Sequence, residues 1–148
     1  MPLEAGLELR LVAPQQRATA GLWYAAALLS LTAALVHLAV VPEHLGHWWA
    51  HGAFLWGLGL VQGAYGVALL GRAAPALLLL GIGGNLASVV LYLVTRAAGA
   101  SLLGAAAGHG EAVGWTGLAA KAIELALVGM LWQLWRTAGE TNAVPVEM

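Results

Sequence analysis

The chain has 148 residues, 61% of them hydrophobic and 9% charged, with a formal net charge of -1. A water-soluble domain carries roughly 25% charged residues, so this composition excludes one and points to a lipid environment. With no basic run, nucleic acid is not an expected partner. With no cysteine, disulfides, thiolate metal sites and thiol catalysis are excluded.

Residues 1–18 hold Glu4, Glu8, Arg10 and Arg17 ahead of the first apolar run, and do not have the order of a signal peptide. Leu7–Leu11 alternates like a short strand. Crossing the hydrocarbon takes about 20 apolar residues at ~1.5 Å per residue, and four segments qualify. The first spans about 20–41 and ends at Pro42. The second spans about 48–70, up to Gly71-Arg72. The third spans about 75–95, with Pro75 at a tolerated helix start. The fourth spans about 112–135, and 137–148 reads as a mobile tail. Trp23, Tyr24, Trp48, Trp49, Trp115, Trp132 and Trp135 sit near the span ends, where amphipathic rings favour the membrane interface; Trp56 lies deeper.

The expected fold is all-α: one integral-membrane four-helix bundle, antiparallel up-down-up-down. An even number of spans places Arg10, Arg17, Arg72 and Arg136 on one side and Arg96 on the other. The positive-inside rule then makes both termini cytoplasmic, in a bacterial inner membrane. Gly59 and Gly63 on the second span, and Gly81, Gly83, Gly84 and Ser88 on the third, predict close backbone approach. The short link between these spans predicts that they are neighbours.

His37, Glu43, His44, His47 and His51 fall within fifteen residues. If the second helix starts at Pro42, then His44, His47 and His51 lie within about 60° of one another, with Gln62 deeper on the same face. His47 and His51 have the i, i+4 spacing of paired metal-ligating histidines. His37 is expected at a depth comparable to His51, and His109 and Glu111 reach the same end from the last loop. Imidazoles with carboxylates suit a transition metal such as Zn, Cu or Fe. Solvated interfacial histidines are the plainer alternative. A b-type haem between His37 and His51 is another, because four-helix bundles hold cofactors between facing helices.

Gln62, Asn85, Lys121 and Glu124 lie near the midplane. Lys121 and Glu124, three residues apart, share a helix face. Charges at this depth are costly and must face the bundle interior. They read either as a self-compensating ion pair with amide partners, or as a proton or ion relay.

The order His37, Pro42-Glu43-His44, Arg96, Glu111, Gly114 and Glu124 resembles a family of small bacterial four-helix integral membrane proteins. That family has an intramembrane histidine, a Pro-Glu-His corner and two carboxylates on the last helix. The resemblance covers most of the chain after residue 30. It implies that these positions belong together and implies no activity.

Three functions follow as expectations. One is a metal-binding membrane protein for sensing, delivery or uptake. Another is a haem-binding or electron-transfer subunit. The third is a structural or assembly subunit, as a homo-oligomer or within a larger complex. P-loop, GxSxG and dinucleotide-binding patterns are missing, so the sequence leans away from an enzyme. A metalloenzyme with Glu43 or Glu111 as general base stays open.

Overall fold

The computed structural model describes residues 3–47, 49–72, 74–97 and 114–142, and the side chains of 17–46, 49–72, 74–96 and 114–138. His109, Glu111 and the tail beyond residue 142 lie outside the described residues, and so does the side chain of His47. Four helices make up the fold: α1 (Leu3–His47), α2 (Trp49–Leu70), α3 (Pro75–Ala97) and α4 (Trp115–Asn142). Each contains a stretch long and apolar enough to cross a membrane. Tyr24, Trp49, Trp56, Trp115 and Trp132 expose their rings, as a lipid-facing surface requires.

α1 departs from expectation at both ends. It does not stop at Pro42 but runs on to His47, so α2 begins at Trp49 and not at the proline. Proline removes only the hydrogen bond to the carbonyl four residues back, a loss that membrane helices tolerate. Leu7–Leu11, which alternates like a strand, is helical as well, and no strand occurs among the described residues.

α2 and α3 do touch, as their short link predicts, but through side chains and not by the close backbone approach expected of them. α1 packs along α2 and also along α4, while α3 packs on α4. Between α2 and α3 the links are side chains: the Tyr65 hydroxyl donates to the Leu77 carbonyl at 3.2 Å, and Gln62 Nε2 to Asn85 Oδ1 at 3.3 Å. The α2–α3 turn is closed by the Gly71 and Arg72 amides donating to Ala68 and Leu69. Arg72 takes φ 56°, the left-handed region in which glycine carries no penalty.

A seven-residue repeat explains the α1–α2 contact. The buried positions of α2 are Gly52, Leu55, Gly59, Gln62, Gly66 and Leu69, alternating steps of three and four. That is the seam spacing of a coiled coil. Gly52, Gly59 and Gly66 receive Leu45, Leu38 and Leu31 of α1, themselves seven apart. A Cβ on Gly59 would stand 2.7 Å from Leu38 Cγ and 3.2 Å from the Ala34 carbonyl; one on Gly66 would stand 2.9 Å from Leu31 Cγ and 3.2 Å from the Ala27 carbonyl. Glycine is required where backbones approach this closely. On α3, by contrast, Gly81 accommodates the Tyr65 ring, and Gly83 and Gly84 meet nothing within 4 Å.

The buried interior has two unlike halves. Towards one end, Ala26, Ala27, Leu69, Leu78, Leu127, Leu131 and Leu134 form a single apolar cluster, none more than 1% exposed. We call this the Leu131 end. The opposite end carries His44, His51, Tyr92 and Arg96 and is called the His44 end. Between the two lies a polar layer.

Candidate functional site

Glu124 is the hub of that layer, with no exposed surface. Its Oε1 accepts hydrogen bonds from His37 Nε2 at 2.9 Å, Ser88 Oγ at 3.0 Å and Gln62 Nε2 at 3.1 Å. Its Oε2 accepts from Lys121 Nζ at 2.6 Å. One carboxylate therefore draws a donor from every helix of the bundle. Lys121 also donates to Ser88 Oγ at 2.7 Å, so the serine hydroxyl links ammonium to carboxylate a second way.

Helical register supplies these contacts. Asn85, Ser88 and Tyr92 follow at steps of three and four on α3, as do Gly117, Lys121 and Glu124 on α4. On α1, Ser30 and His37 are seven apart. Ser30 Oγ donates to the Gln62 backbone carbonyl at 2.7 Å and holds that turn of α2 against α1. Asn85 Nδ2 donates to the Gly81 carbonyl at 2.8 Å, which turns its Oδ1 towards Gln62. Lys121 is the most open member, its side chain 12% exposed. On its far side, towards the His44 end, stands the Tyr92 ring, 5.8 Å from Lys121 Nζ, with the Arg96 guanidinium 5.2 Å from the same ring.

The midplane residues expected to face inward, Gln62, Asn85, Lys121 and Glu124, all meet here. His37 meets them too, and so leaves the histidine group it was assigned to by sequence. Leu38 packs at Gly59, whereas Leu45 packs at Gly52. His37 thus lies about 13 Å along the bundle from the level of His51, at ~1.5 Å per residue. The expected His37–His51 pairing, and their common depth, do not hold.

His44 and His51 do come together, by a route different from the one expected. They do not share a face of one helix, because His44 belongs to α1 and His51 to α2. Their rings meet edge-on across the helix junction, centroids 4.5 Å apart. His44 Nδ1 lies 2.8 Å from the Val40 carbonyl, which can only accept. Nδ1 therefore carries a proton, so that in the neutral ring the lone pair is on Nε2. Glu43 is exposed one residue away. Among the described residues, no three His, Asp or Glu side chains converge as a metal site.

Ser30, Ser88 and Tyr92 complete the layer but were not read as functional from the sequence. The seven-residue spacing of Ser30 with His37, and the three-four spacing of Asn85, Ser88 and Tyr92, were the available signals.

Fold and site together define a multi-helix protein of membrane type with a charged, hydrogen-bonded hub inside, in which Gln62 Oε1 and the Tyr92 hydroxyl have no partner among the described residues. No family model, curated protein or solved structure matches the chain.

Proposed function

We propose that this is a multi-pass protein of the bacterial inner membrane whose buried centre binds and releases a proton. In this reading the bundle is antiparallel, up-down-up-down, with both termini cytoplasmic; the arginine distribution supports that orientation. The observation that carries the function is Glu124, wholly buried and hydrogen-bonded to both His37 and Lys121.

Stability is a poor reason for such a centre. Interhelical polar contacts in membranes are worth about 1 kcal/mol each, and replacing a buried ion pair by apolar side chains is often neutral or stabilising. Three adjacent titratable groups in lipid make sense as a place where a proton is held and moved. In the family that the sequence resembles, positions 37 and 124 recur together, and here they touch.

The test is a proton count. Detergent-purified wild type, titrated between acid and alkali, is expected to take up one more proton than Glu124→Gln. The charge-neutral double variant Glu124→Gln with Lys121→Met serves where the single variant does not fold. Equal uptake by wild type and variants, once the lost lysine is allowed for, would sink the proposal.

A second reading has its own observation. The His44–His51 contact, with the lone pair of neutral His44 on Nε2, suits a transition metal ion (Zn, Cu or Fe) at the His44 end, for sensing, delivery or uptake. Glu43 and His47 are near in sequence, and His109 and Glu111 are candidates from the loop. Metal analysis of purified protein is expected to find one bound ion, lost in His44→Ala and in His51→Ala. Metal-free protein after saturation with each ion would remove this reading. For haem, no observation speaks: His37 is engaged by Glu124. A homo-oligomer or a larger membrane complex is compatible with either reading.

A further inference from the structure

We infer that the Glu124 centre exchanges its proton with one side of the membrane only, through the seam between α3 and α4, with the Tyr92 hydroxyl as the step before Lys121. The inference rests on the proton-binding reading and adds where the proton comes from.

The Leu131 end is closed. Beyond Glu124 on α4, Leu127, Leu131 and Leu134 are buried to within 1%, and Leu69 of α2 and Leu78 of α3 meet them with Ala26 and Ala27 of α1. Tyr65, Trp23 and Trp135 pack against that cluster from its edge, and the Tyr65 hydroxyl is engaged by the Leu77 carbonyl at 3.2 Å. Close-packed apolar side chains give a proton no hydrogen-bonding partner to move along.

The other direction is polar step by step. Lys121, the partly exposed member, lies on the His44 side of Glu124. Next comes Tyr92, then Arg96 one turn further along α3. The Tyr92 hydroxyl oxygen is buried yet has no hydrogen-bond partner among the described residues. Leaving such a group unmatched is costly, and a relay role accounts for that cost at Tyr92; Gln62 Oε1, beside Glu124, is the other unmatched atom of the layer. Its space comes from Gly117 on α4, where a Cβ would stand 3.1 Å from the hydroxyl oxygen. α4 thus opens to admit the hydroxyl one turn above Lys121.

The titratable groups facing Glu124 are His37 from α1 and Lys121 from its own helix. α2 contributes neutral Gln62 and, one turn towards the Leu131 end, Tyr65, whose hydroxyl is held by the Leu77 carbonyl; α3 contributes neutral Ser88 and Asn85, with Tyr92 and Arg96 beyond Lys121. The transfer balances as follows. Lys121 Nζ gives one proton to Glu124 Oε2. The resulting amine takes one from the Tyr92 side across a bridging water. The Tyr92 hydroxyl is reprotonated from the His44 end. Each relay group ends with the protons it began with, and Glu124 gains one. Arg96 and Lys121 lie 5.2 Å and 5.8 Å from the Tyr92 ring centre, and its hydroxyl both donates and accepts.

The experiment uses the full chain in phosphatidylethanolamine–phosphatidylglycerol vesicles, inserted in both orientations. A single cysteine added to the C-terminal tail of this cysteine-free chain measures the fraction in each. After a pH step outside, the infrared band of the protonated Glu124 carboxyl, identified by its loss in Glu124→Gln, is followed in time. In wild type, only the fraction with the His44 end outside should respond at once, and the remainder only after an ionophore equilibrates the lumen. Tyr92→Phe, which keeps the ring and its packing, should slow the prompt response by about tenfold or more with its amplitude unchanged. A prompt response from the whole population overturns one-sided access. A Tyr92→Phe rate equal to wild type overturns the route. A missing Glu124 band at every pH, even after equilibration, is a different failure and removes the proton-binding reading itself.

Discussion

Glu124→Ala should lose most of the folded protein, with a destabilisation of about 3–5 kcal/mol, the usual cost of removing one partner of a buried ion pair. The alanine would leave three donors (His37 Nε2, Ser88 Oγ and Gln62 Nε2) aimed at an empty position, and the Lys121 ammonium with only Ser88 Oγ. It would also open a cavity where all four helices meet. Thermal unfolding in detergent, followed by circular dichroism and by the monodisperse fraction, measures the loss. Adding Lys121→Met should recover part of it, because the uncompensated charge disappears while the cavity stays. If Glu124→Ala melts like wild type, the hub does not hold the helices as described. If the double variant is no better than the single one, the damage comes from the cavity and not from the charge.

Gly59→Leu should be strongly damaging to the α1–α2 contact at the level of the Glu124 hub, although Gly52, where an added carbon would meet the Leu45 backbone nitrogen at 2.8 Å, is tighter still. Even the first added carbon would stand 2.7 Å from Leu38 Cγ and 3.2 Å from the Ala34 carbonyl. The leucine can rotate away; the carbonyl is backbone and moves only if the helices part. Overpacking typically costs about 1–3 kcal/mol, and a whole leucine in a glycine notch belongs at or above the top of that range. Gln62 is less than one turn from Gly59, so parting the helices also draws its amide off Glu124. Gly59→Leu should therefore lower both the melting temperature and the proton uptake, whereas Gly57→Ala, which meets nothing within 4 Å, should leave both unchanged. Equal melting temperatures for the Gly59 and Gly57 variants would show that the seven-residue glycine seam does not set the helix spacing.

The four helices were legible because apolar length is a local property: a stretch such as Pro75–Thr95 declares itself without reference to the rest of the chain. The inward-facing midplane residues were legible for a related reason, since lipid tolerates neither Lys121 nor Glu124 on the outside. Partners across helices were not. A sequence gives a side chain its height along its own helix, but the rotation and offset of one helix against another come from packing. His37 looked level with His51 only while α1 was taken to end at Pro42. Once α1 continues to His47, the Leu38–Gly59 and Leu45–Gly52 contacts fix the offset and set His37 opposite Glu124. The same shift moved His44 onto α1 and turned a supposed single-helix face into a contact between two helices. The small residues misled in part as well: the α2 glycines do admit a neighbouring helix, but that helix is α1, and Gly83 and Gly84 of α3 meet nothing within 4 Å among the described residues.

The placement of the charges on α4 bears on how the chain is made. Lys121 and Glu124 are three residues apart on one helix, their charged groups 2.6 Å from each other. The fourth segment thus carries its own counter-ion and can partition from the translocon into lipid as a nearly neutral rod. The earlier segments bring His37, Gln62 and Ser88, none of them a lysine, arginine or carboxylate, and can wait in the bilayer at modest cost. Completion of the hydrogen-bonded hub on arrival of α4 then acts as a built-in checkpoint, and a nascent chain truncated before Trp115 should be one that membrane quality control degrades.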